Sequence, residues 1–276
     1  MSRVLARIRP PARWRPTPTI TGSVGLHCLA GASALLGPEA WPWAAGAIAA
    51  NHAFLTALGV WPRSTWLGPN ITQLPESSRA RREIAITIDD GPDPEVTPAV
   101  LDLLDERCAK ATFFCIGDRA HRHPDLCREI ARRGHSVENH SRGHLASFAF
   151  LTPGGVRREI LEAQETLGEL AGAMPHFFRP PAGLRNPFLD PVLHSLDLRL
   201  VTWTRRGFDT RNRDAANVTA RLTRDLSAGD ILLLHDGNAA RTASGQPVIL
   251  DALPRLLDAT ATAGLAPVTL FHAVDR

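Results

Sequence analysis

Tyrosine is absent from this 276-residue chain, and cysteine occurs only four times. Cys28, Cys108, Cys115 and Cys127 lack both the spacing of a thiolate metal site and the density of a disulfide framework. Neither can therefore organise the fold, although spacing alone leaves a disulfide among the last three open. Cys28 lies in an apolar stretch and reads as inert packing. A general excess of positive charge is lacking too, despite the formal net charge of +3. The first 15 residues hold five arginines (Arg3, Arg7, Arg9, Arg13, Arg15) and no acid, which leaves −2 on everything that follows. A basic tail on a nearly neutral body, without any nucleic-acid-binding motif, argues against a nucleic-acid partner.

Charge of either sign is almost missing from Pro16 to Pro62, where Glu39 is the sole formal charge. Two Ala/Gly/Leu-rich stretches, 20–36 and 44–60, flank a break at Gly37-Pro38-Glu39. Each is near the short limit for a bilayer span, about 17 residues. Trp14, Trp41, Trp43, Trp61 and Trp66 fall at their edges, where aromatic belts sit at membrane–water interfaces. We read residues 1–19 as a basic tail and 20–62 as a helical hairpin in a membrane, the bacterial inner membrane being the expected location. The competing reading is a pair of buried helices in a soluble protein. No small-x-small cleavage site follows a single short apolar core, which argues against a cleaved signal peptide. Arginines precede the first stretch and follow the second (Arg63, Arg79, Arg81, Arg82). The positive-inside rule then puts both ends on the cytoplasmic side, unless one stretch fails to insert.

Residues 63–82 are polar and read as a linker. Across 83–276 strand-like and helix-like segments alternate. The expected strands are 84–88, 111–116, 135–138, 176–179, 199–204, 230–235 and 266–270. Thr97-Pro98 opens a helix as N-cap and first-turn proline; further helices are expected at 124–133, 155–171, 189–196, 215–226 and 248–263. Gly134, Gly172, Gly229 and Gly264 sit where helix C-terminal caps belong. Such alternation implies an α/β fold with parallel strands. Polar candidates trail five different strands, and a barrel gathers strand ends around one mouth better than an open sheet does. A distorted (β/α) barrel of about seven strands, preceded by the apolar hairpin, is therefore expected.

The candidates are as follows. Asp89-Asp90-Gly91-Pro92 ends the apolar run Ile84–Ile88, and two adjacent carboxylates at a buried strand tip raise each other's ionisation cost unless a cation relieves it. His140 and His144, four residues apart, would share a face of a helical turn. Asp plus His-x-x-x-His is a three-ligand set that leaves positions open for water and substrate, as hydrolytic metal sites require. Phe178-Arg179-Pro180-Pro181-Ala182-Gly183 is a loop stiffened by two prolines, suited to aiming a backbone N–H at a developing oxyanion. Ile231–Leu234 is an apolar strand emerging into His235 and Asp236, and a histidine there suits a general acid.

Taken together, these motifs resemble the polysaccharide deacetylases, the NodB-homology proteins of carbohydrate esterase family 4. Thr87-Ile88-Asp89-Asp90-Gly91 is similar to the family's Thr-Phe-Asp-Asp-Gly. His140–His144 resembles its His-Ser/Thr-x-x-His, Arg179–Gly183 its Arg-Pro-Pro-Tyr-Gly, and Leu233-Leu234-His235 its closing Leu-x-His. The resemblance spans about residues 82 to 270. It implies a divalent metal, usually zinc, held by Asp90, His140 and His144. It implies Asp89 as general base oriented by Arg179, and His235 as the acid that protonates the departing amine, with Asp209 as its partner. The backbone N–H of Ala182 would assist the oxyanion, and Pro180, Pro181, Ala182 and Leu233 would contact substrate. The implied substrate is an acetylated amino-sugar glycan.

Ala182 replaces the family's Tyr, Thr210 stands where Trp usually follows Asp209, and Arg206 stands at an upstream Asp. Gly143 replaces a hydroxyl residue between the histidines, so a looser loop is expected there. The reaction type survives these changes better than the sugar-contacting walls do. Two other readings therefore stay open: a deacylase or deformylase of a lipid-linked sugar, and a non-catalytic glycan-binding module on the same scaffold. Ester hydrolysis by the same machinery also remains open.

Overall fold

The computed structural model describes residues 13–274, so Arg3, Arg7 and Arg9 of the basic tail lie outside the described residues. The first element is a hairpin of two helices, α1 (Pro18–Leu36) and α2 (Trp41–Val60), joined through a short 3-10 turn at Pro38–Ala40. Thr17 caps α1, its hydroxyl accepting from Ile20 N at 3.3 Å, and Pro18 occupies the first turn where no N–H is needed. Asn51 Nδ2 donates to Ser23 Oγ at 2.8 Å and ties the two helices together. Both helices are long and apolar enough to cross a membrane, with mean hydropathies of 1.4 and 1.3, and only 6% and 22% of the two spans is buried. Leu29, Leu35, Leu36 and Trp43 point outward, and Cys28 is exposed rather than packed. All four cysteines are free thiols, Cys115 and Cys127 being buried.

The linker is not wholly irregular, since it holds the short helix α3 (Glu76–Ala80). Strands and helices then follow as β1 (Glu83–Asp89), α4 (Thr97–Glu106), β2 (Ala111–Cys115), α5 (Gly117–Arg122), α6 (Pro124–Arg132), β3 (Ser136–Asn139), α7 (Pro153–Ala171), β4 (Phe177–Phe178), α8 (Leu189–Ser195), β5 (Arg199–Leu200), β6 (Arg205–Arg206), α9 (Ala215–Thr223), β7 (Ile231–His235), α10 (Val248–Thr262), β8 (Ala266–Pro267) and α11 (Leu270–Val274). Seven parallel strands run in the order β5-β4-β3-β2-β1-β7-β6, with β8 attached to the start of β1. The sheet curls into a half-barrel, the incomplete barrel expected from the strand-end argument.

Four expectations need correction. The run 199–204 is not one strand: β5 pairs with β4 at one edge and β6 pairs with β7 at the other. The segment Arg199–Arg206 thus touches both edges and straps the open side. The run 266–270 is a two-residue strand leading into α11, whose Leu270 and Ala273 plug the interior. Thr97 is not an N-cap. Its hydroxyl donates to Asp236 Oδ2 at 2.5 Å, and Asp93 Oδ1 accepts from Glu95 N and Val96 N instead. Of the four glycines, Gly172 caps α7 with φ 71°, whereas Gly229 turns the chain into β7, its N–H donating to Glu83 O.

Alternation along the strands separates two apolar layers. Ile84, Ile86, Ile88, Ala111, Phe113, Leu232 and Leu234 face the helices outside. Ala85, Phe114, Ile231 and Leu233 face the interior with Leu74, Val201 and Trp203. Each large side chain buried in this way contributes roughly 1.5–3 kcal/mol. The inward phase also carries Asp89 and His235, which are register partners across the β1–β7 ladder. Packing of the core thus determines that base and acid candidates stand side by side at the mouth.

Candidate metal centre and active site

At the tip of β1 the chain makes a left-handed step at Asp90, φ 75°, which turns the two adjacent carboxylates toward different partners. Asp89 Oδ1 accepts from Arg179 Nη1 at 2.6 Å. Arg179 is fully buried. Its guanidinium also donates to Thr87 Oγ1, Val201 O and Thr202 O, and lies 4.1 Å from the Phe114 ring centroid. Burial lowers the Arg179 pKa, and the Asp89 charge opposes that shift. An arginine with carboxylate, hydroxyl and carbonyl partners meets the condition under which a buried charge is tolerated.

Asp90 Oδ1 lies 3.2 Å from His140 Nε2 and 3.2 Å from His144 Nε2. His140 Nδ1 donates to Arg179 O at 2.7 Å, so a neutral ring presents a bare Nε2 to a carboxylate oxygen. Two acceptors at that distance require a cation between them, either a proton or a metal ion. Burial and the neighbouring His140 lower the His144 pKa, which disfavours a proton on the His144 ring. Burial opposes the Asp90 charge as well, but the hydrogen bond with His140 and the charges of His140, His235 and His144 hold its carboxyl well below the usual range. One carboxylate and two imidazoles, with ligand atoms all within 4.8 Å of one another, fit a divalent cation. The two histidines do not sit on a helical turn, as the spacing suggested. They lie in a loop with Ser141 and His144 at φ 66° and 50°.

That loop is not loose at Gly143. Gly143 N donates to Glu159 Oε2 at 3.0 Å, His144 N to Ser141 Oγ at 3.1 Å, and Ser141 N to Asn139 Oδ1 at 2.9 Å. Asn139 and Glu159, from β3 and α7, are supports that sequence reasoning missed. Asn238 was missed too. Its Nδ2 donates to Asp90 Oδ2 at 3.0 Å while its Oδ1 accepts from Arg119 Nη2. Its position in a polar turn just after His235-Asp236-Gly237 was the available signal.

On the opposite wall, His235 is gripped twice by Asp209. Its backbone N donates to Oδ2 at 2.7 Å and its Nδ1 to Oδ1 at 2.8 Å. Burial would lower the His235 pKa, but the Asp209 bond and charge, with Asp89 and Asp90 beyond, raise it above the ordinary value. Asp236 points away to Thr97, and its burial pushes its carboxyl up to about 7.

These walls enclose a cavity of about 210 Å³ lined by Asp89, Asp90, His140, His144, Ala182, Gly183, Trp203, Arg206, Thr210, Leu233, His235 and Asn238. Of the expected substrate contacts, Ala182 and Leu233 line it. Pro180 and Pro181 do not; they are buried behind Ala182, which they hold at φ 55°. Among the described residues the Ala182 N–H has no acceptor. Arg179 and Asp209 likewise act from behind the lining, through Asp89 and His235.

A half-barrel with a carboxylate–imidazole metal site at its strand tips defines a metal-dependent hydrolase. The family model for polysaccharide deacetylase matches residues 76–201. Over 192 residues the chain is 32% identical to a peptidoglycan-N-acetylglucosamine deacetylase of Bacillus cereus, covering 69% of this chain and 67% of that protein. Over 155 residues it is 35% identical to a chitooligosaccharide deacetylase of Azorhizobium caulinodans, covering 56% and 73%. A crystal structure of a peptidoglycan N-acetylglucosamine deacetylase in complex with 4-naphthalen-1-yl-N-oxidanyl-benzamide superposes with a TM-score of 0.67 at 29% identity, covering 75% of this chain and 92% of that one. The chain belongs to the polysaccharide deacetylase family, and with it to the metal-dependent hydrolases that remove N-acetyl groups from amino-sugar glycans.

Proposed function

We propose that Asp90, His140 and His144 hold Zn2+ and that residues 83–276 form a deacetylase domain carried by a membrane hairpin at 20–62 through the linker 63–82. The observation that carries this reading is the approach of one Asp90 oxygen to both imidazole Nε2 atoms at 3.2 Å. When bound, the cation polarises the acetamide carbonyl and acidifies water. Asp89 is the general base. Arg179 occupies its Oδ1, leaving Oδ2 to receive the proton of the attacking water. The Ala182 N–H donates to the carbonyl oxygen as it gains charge. His235, its Nδ1 held by Asp209, delivers the proton from Nε2 that the departing amine requires.

Chelation and Asp89→Asn should each abolish acetate release from acetylated amino-sugar oligomers. Added Zn2+ should revive the chelated wild type but not the variant, and undiminished release in both would refute the reading. The N-oxidanyl-benzamide bound by the relative offers two oxygens to a cation and should inhibit the wild type.

A lipid-linked sugar is the second reading of the substrate, and one observation favours it. Arg185 N donates to Gly59 O at 3.1 Å, and Pro62 packs against Gly183. The base of the hairpin thus abuts the loop that lines the cavity, which supports a site held close to the membrane surface. The arginines flanking the hairpin support a cytoplasmic site, where lipid-carried precursors rather than finished polymers are found. Robust turnover of free chito-oligosaccharides, with none on membrane extracts, would remove this second reading.

A further inference from the structure

We infer that Arg206 recognises an oxyanion carried by the substrate beside its acetamido group, so that the preferred glycan is an anionic amino sugar. The inference rests on the reading of this cavity as a deacetylase site.

Arg205 and Arg206 are neighbours on β6 and are treated oppositely. Arg205 pairs in register with Leu232 on the outer face, and its Nε donates to Asp230 Oδ2 at 2.8 Å. Arg206 pairs with Leu233 on the inner face and lines the cavity. It has no carboxylate within ion-pair distance among the described residues, and its buried Nε has no hydrogen-bond acceptor. The buried arginine of the site, Arg179, is by contrast fully committed to Asp89, Thr87 and two carbonyls, whereas Arg206 is half-buried. Among the described residues Arg206 is thus the one guanidinium that faces the cavity without a counter-charge.

Its position is nonetheless prepared. The guanidinium carbon lies 5.4 Å from the Trp203 ring centroid and 5.1 Å from that of Phe208, contacts that orient the planar fork without neutralising it. Phe208 is held at φ 58°. A fixed, unpaired guanidinium presents parallel N–H donors that match the two oxygens of a carboxylate or phosphate. Sugar hydroxyls would accept hydrogen bonds but leave the charge uncompensated. The Thr210 hydroxyl on the same wall offers the ligand a further donor.

The test uses the full chain, metal-loaded in detergent, and three probes. These are a neutral N-acetylglucosamine oligomer, an N-acetylmuramyl glycan fragment carrying a carboxylate, and an N-acetylglucosaminyl pyrophosphate. Wild type should favour one anionic probe over the neutral one in kcat/KM, and which one identifies the source of the oxyanion. Arg206→Gln should reduce that preference by about tenfold, chiefly through KM, and Arg206→Lys should recover part of it. A merely structural role would depress all three probes alike, and that result overturns the inference. A second readout needs no turnover. Pyrophosphate or N-acetylmuramate should raise the Tm of the metal-free wild type and not that of Arg206→Gln; equal shifts would also overturn it. If none of the probes is turned over while the Tm difference appears, the deacetylase reading fails and the oxyanion site stands.

Discussion

Asp89 and Asp90 are chain neighbours with different tasks, and what separates them is one left-handed residue and one arginine. Asp90 turns to the imidazoles at φ 75°, while Arg179 fixes Asp89 from below. A strained conformation of this kind costs on the order of 1–3 kcal/mol and persists because the surroundings determine it. His235 is defined in the same way by Asp209. Because the Asp209 hydrogen bond and charge raise its pKa against burial, the imidazolium survives to higher pH than an ordinary histidine's, and activity should fall as pH rises through that elevated value. Asp209→Asn should lower the pKa, move the alkaline limb of the pH–rate profile to lower pH and reduce kcat by about 10²-fold. The principal residues were legible because their types are chemically unusual at strand tips. Asn238, Asn139 and Glu159 were not, because nothing in their spacing separates a supporting hydrogen bond from ordinary surface polarity.

At the level of elements, the long strands and helices were readable from alternation and periodicity, whereas β5, β6 and β8 are two residues each. Too short for a period, they exist through their neighbours. The loop after β4 is set by Gly183 at φ 74°, where a Cβ would come 2.6 Å from Trp203 Cη2. Gly183→Ala should therefore cost about 1–3 kcal/mol in thermal denaturation and lower kcat by displacing Ala182. On β3, Glu138 accepts from His176 N, Phe177 N and Ser136 Oγ, and burial raises its carboxyl to about 7. An acid whose folded pKa is raised above its unfolded one makes stability fall as pH rises between the two values. Tm should accordingly decline from pH 4.5, the ordinary carboxyl value, to about pH 7. Glu138→Gln, which can donate to Ser136 and still accept both backbone N–H groups, should flatten that decline.

For the whole molecule, the hairpin matters most. Its outward leucines and the tryptophans at its ends leave it apolar on the outside, and the absence of charge made that visible in the sequence. Leu29 is 73% exposed, so Leu29→Arg disturbs no packing between the helices. As a test of the proposed membrane hairpin, it should cost roughly 2.5–3.5 kcal/mol of insertion at a bilayer centre and move the protein into the soluble fraction, as fractionation and immunoblotting would show. What the sequence did not reveal is how the hairpin meets the enzyme, because the Gly59–Arg185 contact joins residues far apart in the chain.

The eight residues from Arg199 to Arg206 bond to both free rims of the sheet and also receive the buried guanidinium. Both edge strands, β5 and β6, are only two residues long, which blunts edge-to-edge pairing with another molecule. The same eight residues also tether the Arg179 side of the site to the His235 side through one short peptide, since β5 pairs with β4 and β6 with β7.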